Sequence, residues 1–325
     1  MDKITISNNR LLDLYQGLGA VKDLKGAKFG YAVSRTLRSI DPLVKALQDA
    51  AAFKPDYLEF IQAREDLGLP LAVVSENGEP LYDLYQGELF LQIIPERVGE
   101  FLPKYAALEK KYAKAIKAKE ADKKEYDEIL KQDVEIEVFP IEMDMLPEGI
   151  SLGHAFRILP MLTPRSFDSS IPCSFRNDLL LNFPSMVLRN FAGVTNRDFI
   201  LGMLDNFRIM YDSFLELGRY KIVTDYNNLY DQGRIAFCEK YAEKNQYGNP
   251  KMIEVRGGLE YLIPESSEYS KAMRIFNGSM KEVISQYEAL LKERSSLHLS
   301  PITFDQLPVD FSGTQIDLLA DLIRE

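Results

Sequence analysis

Tryptophan is absent, and histidine and cysteine occur only twice each. Cys173 and Cys238 stand 65 positions apart without a CxxC or Cys/His ligand spacing, which excludes a disulfide framework and a zinc site and suits a reducing compartment. His154 and His298 lie far from one another, and no GxSxG, HExxH, GxGxxG or phosphate-loop frame accompanies them. No run approaches the roughly 18 to 20 apolar residues of a membrane span, and the N-terminus MDKITISNNR lacks the apolar segment of an export signal.

Positive charge is also in deficit, with 39 Lys and Arg against 49 Asp and Glu, a net charge of −10. That balance argues against nucleic acid as a partner, since phosphate contacts need a cationic surplus. The densest basic stretch, Lys22, Lys25, Lys28, Arg35 and Arg38, reads as a solvated helix face. Glu142, Asp144 and Glu148 sit close enough to suggest a metal, but only Asp144 has an acidic counterpart, Asp305, in the repeat described next. Together these absences predict no catalytic, cofactor or metal residues and no membrane.

What is present is duplication. PIEMDMLPEGIS from Pro140 matches PITFDQLPVDFS from Pro301, 161 positions later, at Pro, Ile, Asp, Leu, Pro and Ser. The shared residues are Pro140, Ile141, Asp144, Leu146, Pro147 and Ser151, and Pro301, Ile302, Asp305, Leu307, Pro308 and Ser312. Each has a structural reason to be there. Pro140 and Pro301 suit an edge or the last residue of a strand, Pro147 and Pro308 keep the preceding Leu out of helical geometry, and Asp144 and Asp305 accept local N–H groups. Ser151 and Ser312 are N-cap residues, and Gln315 completes a capping box with Ser312.

Further landmarks keep the same order: Gly17 with Gly193, Arg64 with Arg234, Gly78 with Gly248, Pro80 with Pro250. The period-two alternation of Val134, Ile136 and Val138 predicts a strand, and the spacing of Phe101, Tyr105, Leu108, Tyr112 and Ile116 predicts one helix over 101–131. Leading strands are expected at Ile4–Ile6 and Leu179–Leu181. The fold class is therefore α+β, mostly helical, with two homologous modules at 1–163 and 175–325 joined by a linker at 164–174. Each carries short strands at its ends and a long helix before the last strand.

The run 205–234 interleaves aromatic and cationic residues. Phe207, Ile209, Met210, Phe214 and Leu217 read as a core stripe, leaving Tyr211, Arg219, Tyr220, Tyr226 and Tyr230 as a candidate protein interface.

Residues 1–163 also resemble a family. A leading strand and helix, the segment LKGAKFGYAVSR, a long charged helix and the closing VEIEVFPIEMDMLPEGIS are similar to small proteins of unknown function encoded by tailed phages and prophages of Gram-positive bacteria. Residues 175–325 share this only through the repeat and lack the KGAKF step. The resemblance implies a phage origin, located in the host cytoplasm or the assembled virion, and brings no activity with it. Two functions are then expected in order: a non-enzymatic virion structural or assembly component acting through protein contacts, and a host-directed inhibitor or counter-defence protein whose acidic surface meets a basic partner.

Overall fold

The chain leaves strand β1, Asp2–Ser7, directly into helix α1, Asn8–Val21, because the Ser7 hydroxyl accepts from the Arg10 amide at the helix start. The structure is a computed structural model that describes residues 2–85, 88–163, 170–216, 219–255, 258–320 and 322–324. After α1 come α2 (Ala27–Ala51), α3 (Pro55–Gly68), the hairpin β2 (Tyr82–Tyr85) and β3 (Glu88–Leu91), α4 (Val98–Lys111) and α5 (Ala113–Lys131). The first half closes with β4 (Asp133–Val138), β5 (Ile141–Glu142), α6 (Leu152–Arg157) and β6 (Leu162–Thr163).

The second half follows a similar order. It runs β7 (Ile171–Arg176), α7 (Asn177–Phe191), α8 (Arg197–Glu216) and, where the first half has α3, α9 (Arg219–Asp225), a π-helical turn at Tyr226–Asp231 and α10 (Gln232–Tyr241). Then follow β8 (Met252–Val255), β9 (Gly258–Tyr261), α11 (Ser267–Ser279), α12 (Lys281–Lys292), β10 (Arg294–Leu299), β11 (Ile302–Thr303), α13 (Gly313–Leu319) and β12 (Ile323–Arg324). Helix dominates, as α+β requires here, and the described strands form only two-stranded sheets. β1 pairs with β4 and β7 with β10, antiparallel; β5 pairs with β6 and β11 with β12, parallel.

The recurrence extends to single hydrogen bonds. The Val73, Leu81 and Gln92 backbones form a closed ring, Val73 N–H to Gln92, Gln92 N–H to Leu81 and Leu81 N–H to Val73. Glu243, Lys251 and Leu262 form the same ring. Each ring frames a turn at a glycine with positive φ, Gly78 at 81° and Gly248 at 78°, which a side chain would strain. The Asn8 and Asn177 amides donate to the Ile129 and Leu290 carbonyls, tying the first helix of each half to the helix before its pairing strand.

Three expectations need correction. Leu179–Leu181 is not a strand but the first turns of α7, because leucine suits a helix and Asp178 favours its N-terminal end. The strand is β7, inside the segment read as linker, where Cys173 and Phe175 point inward; Pro172 is tolerated because β7 has a single neighbour, β10. The remaining linker positions 164–169 lie outside the described residues. Finally, the helix expected over 101–131 breaks at Tyr112 (φ −102°, ψ 15°), as its counterpart breaks at Met280 (φ −100°, ψ 9°).

The chain forms two compact units that do not follow the sequence halves. Unit 1 comprises 1–48, 129–230 and 280–325, and unit 2 comprises 49–128 and 231–279. The unit 1 core draws on both halves, with Leu11, Leu14, Phe29 and Ile141 beside Phe191, Phe199, Phe207 and Ile302. Within it α1 approaches α6 so closely that a Cβ on Gly17 would lie 2.5 Å from the Arg157 Cβ. The unit 2 core also mixes halves, since Tyr247 packs on Phe90, Phe101 and Tyr105 and its hydroxyl donates to the Leu91 carbonyl at 2.8 Å.

Candidate functional site

In both its occurrences the twelve-residue motif joins a strand break, a 3-10 turn and a capped helix. Pro140 and Pro301 do not end strands; they sit in the gap between an antiparallel strand and a short parallel one, β4 to β5 and β10 to β11. The gap removes ladder partners from the preceding N–H, and a buried side chain on the second helix of each half replaces them. Thr36 Oγ1 accepts from Phe139 N at 3.0 Å, while the Asn206 amide accepts from Ser300 N at 2.8 Å and donates to Ser300 O at 3.0 Å. Leaving such a group unpaired in the interior costs about 1–3 kcal/mol.

Ile141, Leu146, Ile302 and Leu307 are buried, and Pro147 and Pro308 follow the turns Met143–Met145 and Phe304–Gln306. Ser151 accepts from His154 N, and Ser312 forms the capping box with Gln315. The Asp144 side chain lies outside the described atoms. Asp305 is exposed and makes no side-chain hydrogen bond among the described residues; Thr303 and Gln306 satisfy that turn with a capping box of their own. The motif's buried and capping residues thus serve the backbone.

The candidate interface residues divide into two kinds. Tyr211 and Tyr220 are 59% and 52% exposed, and burial of its remaining surface and the neighbouring Tyr220 raise the Tyr211 pKa. Tyr226 stacks on Tyr287 with ring centroids 3.8 Å apart and also meets Tyr230 at 5.1 Å, so both are half-buried packing residues. Arg219 is drawn inward to the Ser295 hydroxyl, which in turn donates to Asn177 Oδ1 at 2.6 Å. Of the expected core stripe, Phe207 and Met210 are buried, Ile209 is half-buried, and Leu217 and the Phe214 side chain lie outside the described part.

The most unusual chemistry lies in unit 2, at residues that carry no motif. Glu88 is buried on β3 and is held by three donors from two helices. The Tyr57 hydroxyl lies 3.0 and 2.9 Å from its two oxygens, Lys119 Nζ 2.6 Å from Oε1 and Arg64 Nη1 3.4 Å from Oε2. Arg64, itself buried, also donates to the Leu89 carbonyl at 3.1 Å and lies over the Phe90 ring at 4.1 Å. Burial works to raise the Glu88 pKa, but the hydrogen bonds from Lys119 and Tyr57 and the charges of Lys119 and Arg64 outweigh it and hold it below its ordinary value. The same burial and the adjacent carboxylate push the Tyr57 hydroxyl far up, so it remains a donor.

Tyr57, Glu88 and Lys119 of this cluster line one end of a pocket of about 400 Å³ between the α2–α3 turn and α5, with Arg64 behind them on Glu88. Ala50, Ala51, Ala52, Ala115 and Ala118 line its sides with Phe53 and Tyr126, and the Lys54–Asp122 ion pair of 2.7 Å crosses its rim. Its key groups come from positions 57, 64, 88 and 119, whose spacing bears no periodic signature. Arg64 shares its sequence context with Arg234, but nothing in the sequence connects it to a carboxylate. Arg234 instead meets Asp231 at 3.4 Å on the surface.

Among the described residues no group of His, Cys, Asp and Glu is arranged to hold a metal, and no helix is long and apolar enough to cross a membrane. Comparison with known proteins finds no matching family model, no matching curated protein and no matching solved structure.

Proposed function

We propose that this chain is a tandem duplication that acts through protein contacts, without chemistry of its own, as a structural or assembly component of a tailed-phage particle. The observation that carries the contact role is the exposure of Tyr211 and Tyr220, whose rings stand more than half open to solvent on α8 and α9. Tyrosine is enriched in protein interfaces, because it buries a large rigid surface and keeps a polar tip. Leu229, also 51% exposed, adds apolar surface on the following turn. The phage origin rests on the likeness of residues 1–163 to phage proteins, and the duplication on the recurring landmarks and hydrogen bonds.

The net charge of −10 favours a second reading, a host-directed binding protein that engages a basic partner in the infected cell. One experiment separates the two. Proteomics of purified particles, run beside an affinity pull-down from infected cells, is expected to find the protein in particles at fixed copy number, and Tyr211→Ala with Tyr220→Ala is expected to reduce its incorporation. Absence from particles, with one host protein enriched, would replace the first reading by the second.

A further inference from the structure

The pocket beside Glu88 has a charge asymmetry that its apolar walls do not share. Arg64 and Lys119 set two cations against the single carboxylate of Glu88, so the buried end carries one net positive charge. Of the other charged residues that line the pocket, Lys54, Lys114 and Lys123 balance Asp56, Asp122 and Asp127. Lys119 has three N–H donors, its side chain is 21% exposed, and its one ion-pair partner among the described residues is Glu88. The remaining donor capacity belongs to the only cation that both joins the buried cluster and lines the pocket. Alanine walls leave about 400 Å³ open, within the range of small-molecule sites.

We propose that this pocket binds a small organic monoanion, a carboxylate on an aliphatic or aromatic body, with the carboxylate on Lys119 Nζ and the apolar body between the alanines and Phe53. An isolated carboxylate would gain little from a solvated lysine. Here the ammonium is already held in place by Glu88 and lies 5.4 Å from the centre of the Tyr57 ring, so a ligand meets an ordered donor in a partly dry site. The apolar body supplies the remaining affinity by leaving water.

The test uses the full chain and two probes of equal shape, 4-phenylbutyrate and 4-phenylbutan-1-ol, followed by calorimetry and by saturation transfer from protein to ligand protons. The wild-type protein is expected to bind the acid at least tenfold more tightly than the alcohol. Lys119→Met, which keeps the apolar stem and leaves Arg64 and Tyr57 on Glu88, is expected to erase that preference. Ala118→Leu fills the pocket without touching the ionic cluster and is expected to abolish binding of both probes. If Lys119→Met does not fold, the acid-to-alcohol ratio of the wild-type protein and the Ala118→Leu variant still decide. No saturable binding of the acid, equal binding of acid and alcohol, or unchanged binding by folded Ala118→Leu would overturn the proposal. None of these results bears on Tyr211 and Tyr220, so the particle reading stands or falls separately.

Discussion

The two halves of the chain share several backbone hydrogen bonds and helix breaks and differ in what they bury. Ring for ring, the Val73–Leu81–Gln92 and Glu243–Lys251–Leu262 hydrogen bonds coincide, as do the helix breaks at Tyr112 and Met280. Yet where the first half places Tyr57 against Glu88 and Lys119, the second stacks Tyr226 on Tyr287. Backbone groups must be satisfied wherever they are buried, so their partners recur. Side-chain contacts can be exchanged, polar for aromatic, provided each set is internally complete.

The largest test of that contrast is Glu88→Leu. It leaves Arg64 and Lys119 without their carboxylate and is expected to cost about 3–5 kcal/mol in chemical denaturation. Tyr287→Ala, which removes the stack in the other half, is expected to cost only about 1–2 kcal/mol. An equal loss at both sites would mean that the ionic cluster is solvated rather than buried.

Next come the two side chains that serve the strand gaps. Asn206→Ala removes two hydrogen bonds and leaves Ser300 N–H unpaired, for an expected loss of about 2–3 kcal/mol; Thr36→Val removes one, for about 1–2 kcal/mol. Thermal melts of the two variants should rank in that order.

The acid limb sharpens the comparison further. Because the folded pKa of Glu88 lies below the ordinary 4.5, its stabilisation is fully present above that value and is lost as the pH falls through the folded pKa. The stability gap between wild type and Glu88→Gln is therefore expected to be constant at neutral pH and to shrink below about pH 4.5, whereas Tyr287→Ala should show a gap independent of pH in that window.

The two glycine turns test what the halves have in common. Gly78→Ala and Gly248→Ala force a Cβ into the left-handed region and should each cost about 1–2 kcal/mol, alike within error. A large difference between them would show that the two turns carry unequal constraint.

Local signals were the legible ones. The Ser151 and Ser312 caps, the Gln315 capping box, the β4 alternation and the predominance of helix each depend on residues within a few positions of one another. β7 was obscured because its proline and serines are also linker residues, and only pairing with β10 makes Pro172 acceptable in a strand. The break at Tyr112 carries neither glycine nor proline, so no local rule marks it. The candidate site was illegible for a stronger reason: Tyr57 and Glu88, or Arg64 and Lys119, become neighbours only when helices and hairpin pack together.

By itself the sequence determined the repeated landmarks, the β4 strand and the helix caps, because hydrogen bonding and periodicity over a few residues settle them. Tertiary structure decided which elements share a core. Both compact units draw on both halves, since an amphipathic face specifies that it must be buried but does not specify against which partner. It also decided that Glu88 stays ionised in the interior, because two cations and a hydroxyl reach it from two helices.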